Sequence, residues 1–283
     1  CQRYTYHTEA EWRDALAEGR ILLNYQPTVP SALLARGDGV EYMVPGVEEP
    51  AVDTRYSILH EDASILVVDK PPNLPCHPAG AYFNHTLWAL LKRDLDLRVP
   101  HFISRLDRET SGIVLIARDR AAAKACRRQA EAKGLSKEYL LLVEGVLTQP
   151  IHARGWLLPD TDSAIRKKSR FVPETLGEPA AEGAVAAETW FEPIQENAGL
   201  TLVRARLGTG RTHQIRATMR AYGYPLVGDK LYGLDEQLFI RFVNRELTAA
   251  DHVLLRLPRQ ALHASRLVFQ HPVTRAPCDV ATP

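Results

Sequence analysis

Asp107 is the residue whose neighbours best equip it for chemistry. It lies in His101–Gly112, HFISRLDRETSG, between Arg105 and Arg108, and Thr110-Ser111-Gly112 turns the chain into the apolar run Ile113–Ala117. Opposite charge within about 4–6 Å lowers a carboxyl pKa, so two flanking guanidinium groups are expected to keep Asp107 ionised. An ionised carboxylate on a loop can act as nucleophile or general base. The same pattern also serves a structural Asp–Arg network that ties a loop to a strand. A second segment, Leu207–Arg216, reads LGTGRTHQIR. Gly208 and Gly210 permit close backbone approach. Arg211, His213 and Arg216 follow at an expected helix start, where backbone N–H groups favour an anion. The segment has neither the G-x-x-x-x-G-K-[ST] phosphate loop nor the full dinucleotide fingerprint, which excludes an NTPase reading. A third segment, Lys137-Glu138-Tyr139, opens a strand. Its tyrosine can stack on a base, or simply pack at a sheet edge.

The elements that must position these residues can be read from periodicity. Residues 10–45 form a small α/β unit: a helix over Glu11–Gly19, a strand over Arg20–Asn24, and a strand after Arg36-Gly37-Asp38 within Leu33–Tyr42. The segment Pro45–Pro50 is a linker, since two prolines, a glycine and two acids disfavour any element interior. The boundary therefore falls between domains 1–50 and 51–283. Beyond it, strands are predicted at Ile65–Val68, Ile113–Ala117, Tyr139–Val146, Val185–Ile194 and Leu200–Leu207. Helices are predicted at Thr86–Leu95, at Arg118–Lys133, and at Thr212–Tyr222 with Thr212 as N-cap. Short strands with interspersed helices indicate an α+β domain with a mixed, mostly antiparallel central sheet flanked by helices.

Composition narrows the class. The chain has 283 residues, 45% hydrophobic and 24% charged, enough to bury a core and unlike a disordered polyelectrolyte or a fibrous rod. The net charge of +1 hides an asymmetry: residues 1–100 carry −5, residues 101–220 carry +5, and residues 221–283 carry +1. The middle holds Arg118, Arg120, Lys124, Arg127, Arg128 and Lys133 on one expected helix, and the run Arg166-Lys167-Lys168-Ser169-Arg170. A polyanion is the matching partner if the clusters share a side; otherwise they are a solvated helix face and a mobile loop. Cysteines at 1, 76, 126 and 278 have no metal-ligand spacing and are expected to be free thiols in a reducing cytoplasm. No apolar run of about 18 residues and no signal-peptide core is readable, so no membrane association is expected.

Taken in order, the segments resemble the RluA-like pseudouridine synthases. The resemblance rests on ILHEDASILVVDKPP with the following LPCHP, then HFISRLDRETSGIVLIARD, then Lys137-Glu138-Tyr139, then LGTGRTHQIRATM with GYPLVGDKLYG, and finally Ala261-Leu262-His263-Ala264 with Leu267, Phe269 and His271-Pro272. It covers residues 56–272. One departure is that the family usually has a histidine directly before Arg-Leu-Asp, where this chain has Ser104. Residues 10–45 resemble a short version of the RNA-binding module of ribosomal protein S four.

The resemblance implies a pseudouridine synthase-type catalytic domain that isomerises a uridine of rRNA or tRNA, without cofactor or metal, as a monomer. It implies that Asp107 is the nucleophile, that Arg216 pairs with it, and that Tyr139 stacks on the flipped uracil. It further implies that Leu262 lines the pocket and that Arg105 helps fill the place the base leaves. Arg108, Thr110, Lys137, Arg211 and His213 would then contact the substrate. Two other readings stay open: a non-catalytic RNA-binding or ribosome-assembly factor on the same fold, and a small-molecule nucleoside or phosphosugar enzyme.

Overall fold

The longest apolar runs of the chain become strands buried on both faces. The computed structural model describes residues 7–24, 26–35, 38–43, 48–177 and 183–282. The chain divides between Pro50 and Ala51 into two compact units.

Among its described residues the first unit has one helix, α1 (Glu9–Ala17), and three short strands, β1 (Ile21–Leu23), β2 (Gln26–Pro27) and β3 (Val40–Tyr42). Thr8 and Glu11 close a capping box at the start of α1, satisfying backbone donors that a helix end leaves free. The strands pair antiparallel in the order β2-β1-β3. Asn24, at positive φ, donates to Asp38 at 3.0 Å and accepts from the Gly39 N–H at 2.9 Å. Arg36 and Gly37 of the Arg-Gly-Asp stretch lie outside the described residues, as do Cys1 and residues 44–47 of the expected linker.

The second unit runs β4 (Ser57–Glu61), β5 (Ile65–Lys70), α2 (Leu87–Leu95), β6 (His101–Phe102), β7 (Ser111–Ala117), α3 (Arg120–Glu131), β8 (Ser136–Glu144), β9 (Ile151–Pro159), β10 (Ser169–Pro173), β11 (Val185–Asn197), β12 (Leu200–Leu207), α4 (Gln214–Ala221), α5 (Gln237–Asn244), α6 (Ala249–Leu255), β13 (Leu262–Gln270) and β14 (Pro277–Ala281). One sheet follows the order β10-β9-β11-β12-β8-β13-β7-β5-β4, with β14 added to β13 and β6 to β7. Every pairing is antiparallel except β13 with β7, which gives the mixed, mostly antiparallel sheet expected of an α+β fold. On β5 and β7, Leu66, Val68, Val114 and Ile116 face α2, while Ile65, Val67, Ile113 and Leu115 face Cys126 of α3. Both faces are apolar because both are covered. A third cluster packs β8, β9, β11 and β12 beneath α4.

Several expected boundaries move, each for a local reason. The helix expected from Arg118 starts at Arg120: Asp119 caps α3 by accepting the Ala122 N–H at 2.8 Å, and Arg118 stays outside it, paired with Glu61. Thr212 does not cap α4. The chain enters that helix through His213 in the left-handed region, φ 57 and ψ 14. No side chain caps the helix; the Gln214 side chain instead ties the entering loop to the sheet, accepting the Arg211 N–H at 3.0 Å and donating to Glu188 O on β11 at 2.9 Å. The basic run 166–170 is not a free loop. Lys168 pairs with Glu236 at 2.7 Å, Arg170 reaches Asp162 at 3.7 Å, and Ser169 begins β10.

The parallel seam between β7 and β13 requires Gly112. Its φ is +108, and a Cβ there would lie 2.2 Å from the Ala264 carbonyl oxygen. Ala264 in turn pairs with Tyr139 on β8, so this close approach sets the spacing of the strands that carry the candidate residues. Gly112→Ala is expected to lose about 3 kcal/mol or more of stability, through backbone strain together with overpacking. Denaturant unfolding checks this, and a loss below about 1 kcal/mol would refute the role given to the seam.

Candidate active site

The loop carrying Asp107 is held on several sides. Thr110 N–H donates to Asp107 O at 3.2 Å, closing the turn into β7. The ammonium of Lys70, fully buried at the end of β5, donates to the carbonyls of Pro71, Leu74 and Arg108 at 2.8, 2.9 and 3.2 Å. Burial pulls Lys70 down to about 8, and the three carbonyl dipoles supply the acceptors its charged form needs. Cys76 Sγ meets both the N–H and the carbonyl of Leu106 at 3.4 Å. The backbone on each side of Asp107 is thereby fixed.

The guanidinium that touches Asp107 is that of Arg216, on α4. The sequence expectation that Arg105 and Arg108 flank the carboxylate is corrected here. Arg108 turns away to the Tyr82 hydroxyl and to Glu109, because its carbonyl is pinned by Lys70 and its side chain lies over Tyr82 and Phe242. Arg216 Nη1 donates to Asp107 Oδ2 at 2.7 Å, while Nε and Nη2 make a bidentate pair with Asp229 at 2.7 and 2.8 Å. Asp229 also accepts the N–H groups of Leu231 and Tyr232 at 2.9 and 3.0 Å. It therefore orients Arg216 as a planar fork matched to a carboxylate. Gln260 Nε2 adds a longer contact to Asp107 Oδ2 at 3.3 Å and donates to Thr110 Oγ1 at 2.7 Å. Burial works to raise the Asp107 pKa, but the charge and hydrogen bond of Arg216 more than offset it, so the carboxyl is held below its ordinary value. Both hydrogen bonds land on Oδ2. Oδ1 is the oxygen left to face the cavity.

His213 is aimed at that second oxygen, with Nε2 3.8 Å from Oδ1. The Ser169 N–H donates to the Tyr232 hydroxyl at 2.9 Å, and the hydroxyl lies 3.0 Å from His213 Nδ1. The negative Asp107 carboxylate beside Nε2 favours the imidazole proton on that nitrogen, which leaves Nδ1 to accept from the hydroxyl. Burial, reinforced by Arg216, brings His213 down to about 4 from 6.5, so it is neutral at physiological pH. Between pH 6.5 and about 4 the unfolded chain takes up a proton that the folded site refuses, so stability falls as pH drops through that window. His213→Asn suits the left-handed backbone and should bring the unfolding midpoints at pH 7 and pH 5 closer together than in the wild type. An unchanged separation would count against a buried, neutral His213.

The structure gathers eight of the ten expected residues around one recess: Asp107, Tyr139, Arg216, Arg105, Thr110, Arg211, His213 and Leu262. Lys137 lines an adjoining cleft of about 540 Å³ together with Arg105, Tyr139 and Arg211. Arg108 lines another cleft, of about 680 Å³, together with Asp107, Arg105, Arg211, His213 and Arg216. Tyr139 is buried on β8, and its hydroxyl is pushed up by burial and then by the Asp107 charge, so it stays protonated. Ser104 lines the 540 Å³ cleft along with two imidazoles, His77 and His101. The ring of His77 packs on Phe102 with centroids 4.3 Å apart. Among the described residues no group of acids, histidines and cysteines could hold a metal ion, and no helix is long and apolar enough to cross a membrane. Asp229, Gln214 and Gln260 were missed from sequence. Asp229 stands in the quoted GYPLVGDKLYG, but nothing in that string says that its carboxylate turns toward Arg216.

Known proteins are similar to this chain. The family described as RNA pseudouridylate synthase matches residues 64–221. Ribosomal large subunit pseudouridine synthase C of Escherichia coli is 32% identical over 272 residues, covering 92% of this chain and 79% of that protein. The mitochondrial tRNA pseudouridine(32) synthase of Saccharomyces cerevisiae is 28% identical over 230 residues. That match covers 80% of this chain, which spans only 47% of the yeast protein's length. Among solved structures, human RNA Pseudouridylate Synthase Domain Containing 1 superposes with a TM-score of 0.63 at 23% identity, covering 83% of this chain and 86% of its own.

Proposed function

The chain belongs to the RNA pseudouridylate synthase family, and on that premise we propose that Asp107 is the nucleophile with which it converts a specific uridine of ribosomal or transfer RNA to pseudouridine. The carrying observation is the fixed line Asp229–Arg216–Asp107, which holds one carboxylate oxygen and leaves Oδ1 toward the recess. The reaction breaks the bond from the sugar C1′ to the uracil N1 and forms one from C1′ to C5. The C5 proton leaves and N1 regains a proton, so no electrons are exchanged. Asp107 must be ionised at the moment of attack, and Arg216 keeps it so. Tyr139 and Leu262 bound the space beside it, where the extruded uracil stacks on the phenol ring. Extrusion costs a few kcal/mol and aromatic stacking returns about 1–3, so Tyr139 offsets much of it. His213, with its proton on Nε2, is a neutral donor beside Oδ1 for a polar atom of the bound nucleoside.

The 540 Å³ cleft supports RNA over a free nucleoside. Its ionisable lining includes Arg105, Arg127, Lys133, Lys137 and Arg211. Burial lowers the Lys137 pKa, and a phosphate there would raise it again by stabilising the charged form. These cations hold phosphates and set register without reading sequence. The reading takes the protein to act as a monomer in the cytoplasm, with the first unit as an accessory RNA contact. Pseudouridine mapping on unmodified total rRNA and tRNA, incubated with the purified protein, tests the function. A new site in one RNA identifies the substrate; no site in any RNA, with binding retained, would move the chain to the RNA-binding-factor reading.

A further inference from the structure

The candidate site does not end at the 540 Å³ cleft. Lys133, Leu135, Leu207 and Gly208 also line a second cavity of about 280 Å³, which wraps round the ends of β8 and β12. Trp190 and Arg206 line that second cavity and a third of about 320 Å³. A continuous track therefore leads from Tyr139 and Arg211 onto the opposite, open face of the sheet.

On that face, cross-strand register puts His152, Trp190 and Arg206 in one row over β9, β11 and β12. The rings of His152 and Trp190 are stacked, with centroids 4.7 Å apart and planes 14° apart. The stack is open to solvent: Trp190 is 38% exposed and the His152 side chain 45%. Of the acids nearby, Glu188 is matched by Lys133 and His152 and Glu192 by Arg204, while Glu138, across the strand from Arg206, reaches Arg266 at 3.9 Å. Arg206 carries its charge with no ion-pair partner among the described residues. Gly208 joins this face to the Gly-Thr-Gly-Arg loop of the site, since a Cβ there would lie 3.0 Å from the Trp190 ring.

We propose that the His152–Trp190–Arg206 row is a second RNA contact, at which an unpaired nucleobase of the same substrate strand, outside the target nucleotide, extends the aromatic stack while Arg206 takes its phosphate. The inference rests on the RNA reading above. Its chemistry is that of single-strand recognition: every base has a face to stack, and a neighbouring guanidinium neutralises the backbone. The free cation, and the continuity of the track with a cleft rich in cations, favour RNA over a protein partner.

The test compares two RNAs containing the mapped uridine, a long fragment and a minimal stem-loop too short to reach the open face. Trp190→Ala should raise KM on the long RNA by about 5- to 150-fold, with kcat within about 2-fold of wild type. On the short RNA the variant should match the wild type. Trp190→Phe should restore most of the affinity. Arg206→Ala should lower the slope of log KM against log salt by about 0.7, the value for one phosphate contact on a single strand. Equal KM values for wild type and Trp190→Ala on the long RNA would overturn the proposal and leave the open face to a protein partner. A loss confined to kcat, or one equal on both RNAs, would overturn it too. Binding of the long RNA to Asp107→Asn, with and without Trp190→Ala, needs no turnover. A Trp190 contribution there without activity in the wild type would sink the synthase reading and leave this contact standing.

Discussion

Asp107→Asn is expected to lose turnover by about 10⁴-fold or more while binding RNA within about 3-fold of the wild type. The amide is nearly isosteric with the carboxylate, and its oxygen can still accept from Arg216 Nη1. The neighbourhood survives because Arg216 keeps its bidentate pair with Asp229, which is buried and anchored by two backbone N–H groups. No guanidinium is left uncompensated, so the variant should fold. What disappears is the negative oxygen facing the recess, and with it the nucleophile. Single-turnover pseudouridine formation and filter binding on the same RNA separate the two quantities. Turnover within about 10-fold of wild type would remove Asp107 from the role of nucleophile.

That contrast shows how much of the site was legible in the sequence. Asp107, Arg216 and Tyr139 stand in strings whose residue types announce chemistry, and the fold does bring them together. The partner of Asp107 was not legible from the residues alone. Arg105 and Arg108 are adjacent in sequence, yet Arg108 points elsewhere because Lys70 holds its carbonyl. The true partner is 109 positions away. Adjacency is a poor guide on a loop, where successive side chains diverge. Asp229, Gln214 and Gln260 act by hydrogen bonding across elements, and no periodicity marks such residues. The charge clusters were half readable. Arg127 and Lys133 do line the cleft, whereas Lys168 and Arg170 pair with acids distant in sequence or across a turn. Elements with strong apolar periodicity, β5, β7 and β12, fell close to their expected bounds. The strand β9 and the helix α5 went unseen. Gly155 interrupts the first, and Phe239, Ile240, Phe242 and Val243 give the second a strand-like composition.

Arg216→Ala should be the most damaging change outside the nucleophile, because it strands two carboxylates at once, the buried Asp229 and the part-buried Asp107. Breaking a buried ion pair by removing one partner costs about 3–5 kcal/mol, and here a single guanidinium serves both Asp107 and Asp229. Activity should fall by roughly 10²-fold or more in samples that remain folded, since the carboxylate loses both its orientation and its charge. The pH dependence distinguishes this account from simple misfolding. In the wild type both carboxyls are held below their ordinary value of 3.8, despite burial, because Arg216 outweighs desolvation. A depressed folded-state pKa contributes stability above the unfolded value, and that stability is lost as pH falls through the folded one. Without Arg216, burial is unopposed by that charge and both pKa values rise above the unfolded value. Residual activity should then climb with pH across a range where the wild type is flat, as Asp107 ionises. Stability should fall with rising pH across the same range, because the folded state would hold protons that the unfolded chain has released. Activity and stability moving in opposite directions is a signature that general destabilisation does not produce. Arg216→Lys should recover part of the stability but little of the rate, since one ammonium cannot replace a fork that bonds Asp229 in bidentate fashion and still reaches Asp107. An acidic limb of the rate profile unchanged in Arg216→Ala would show that something other than Arg216 keeps Asp107 ionised.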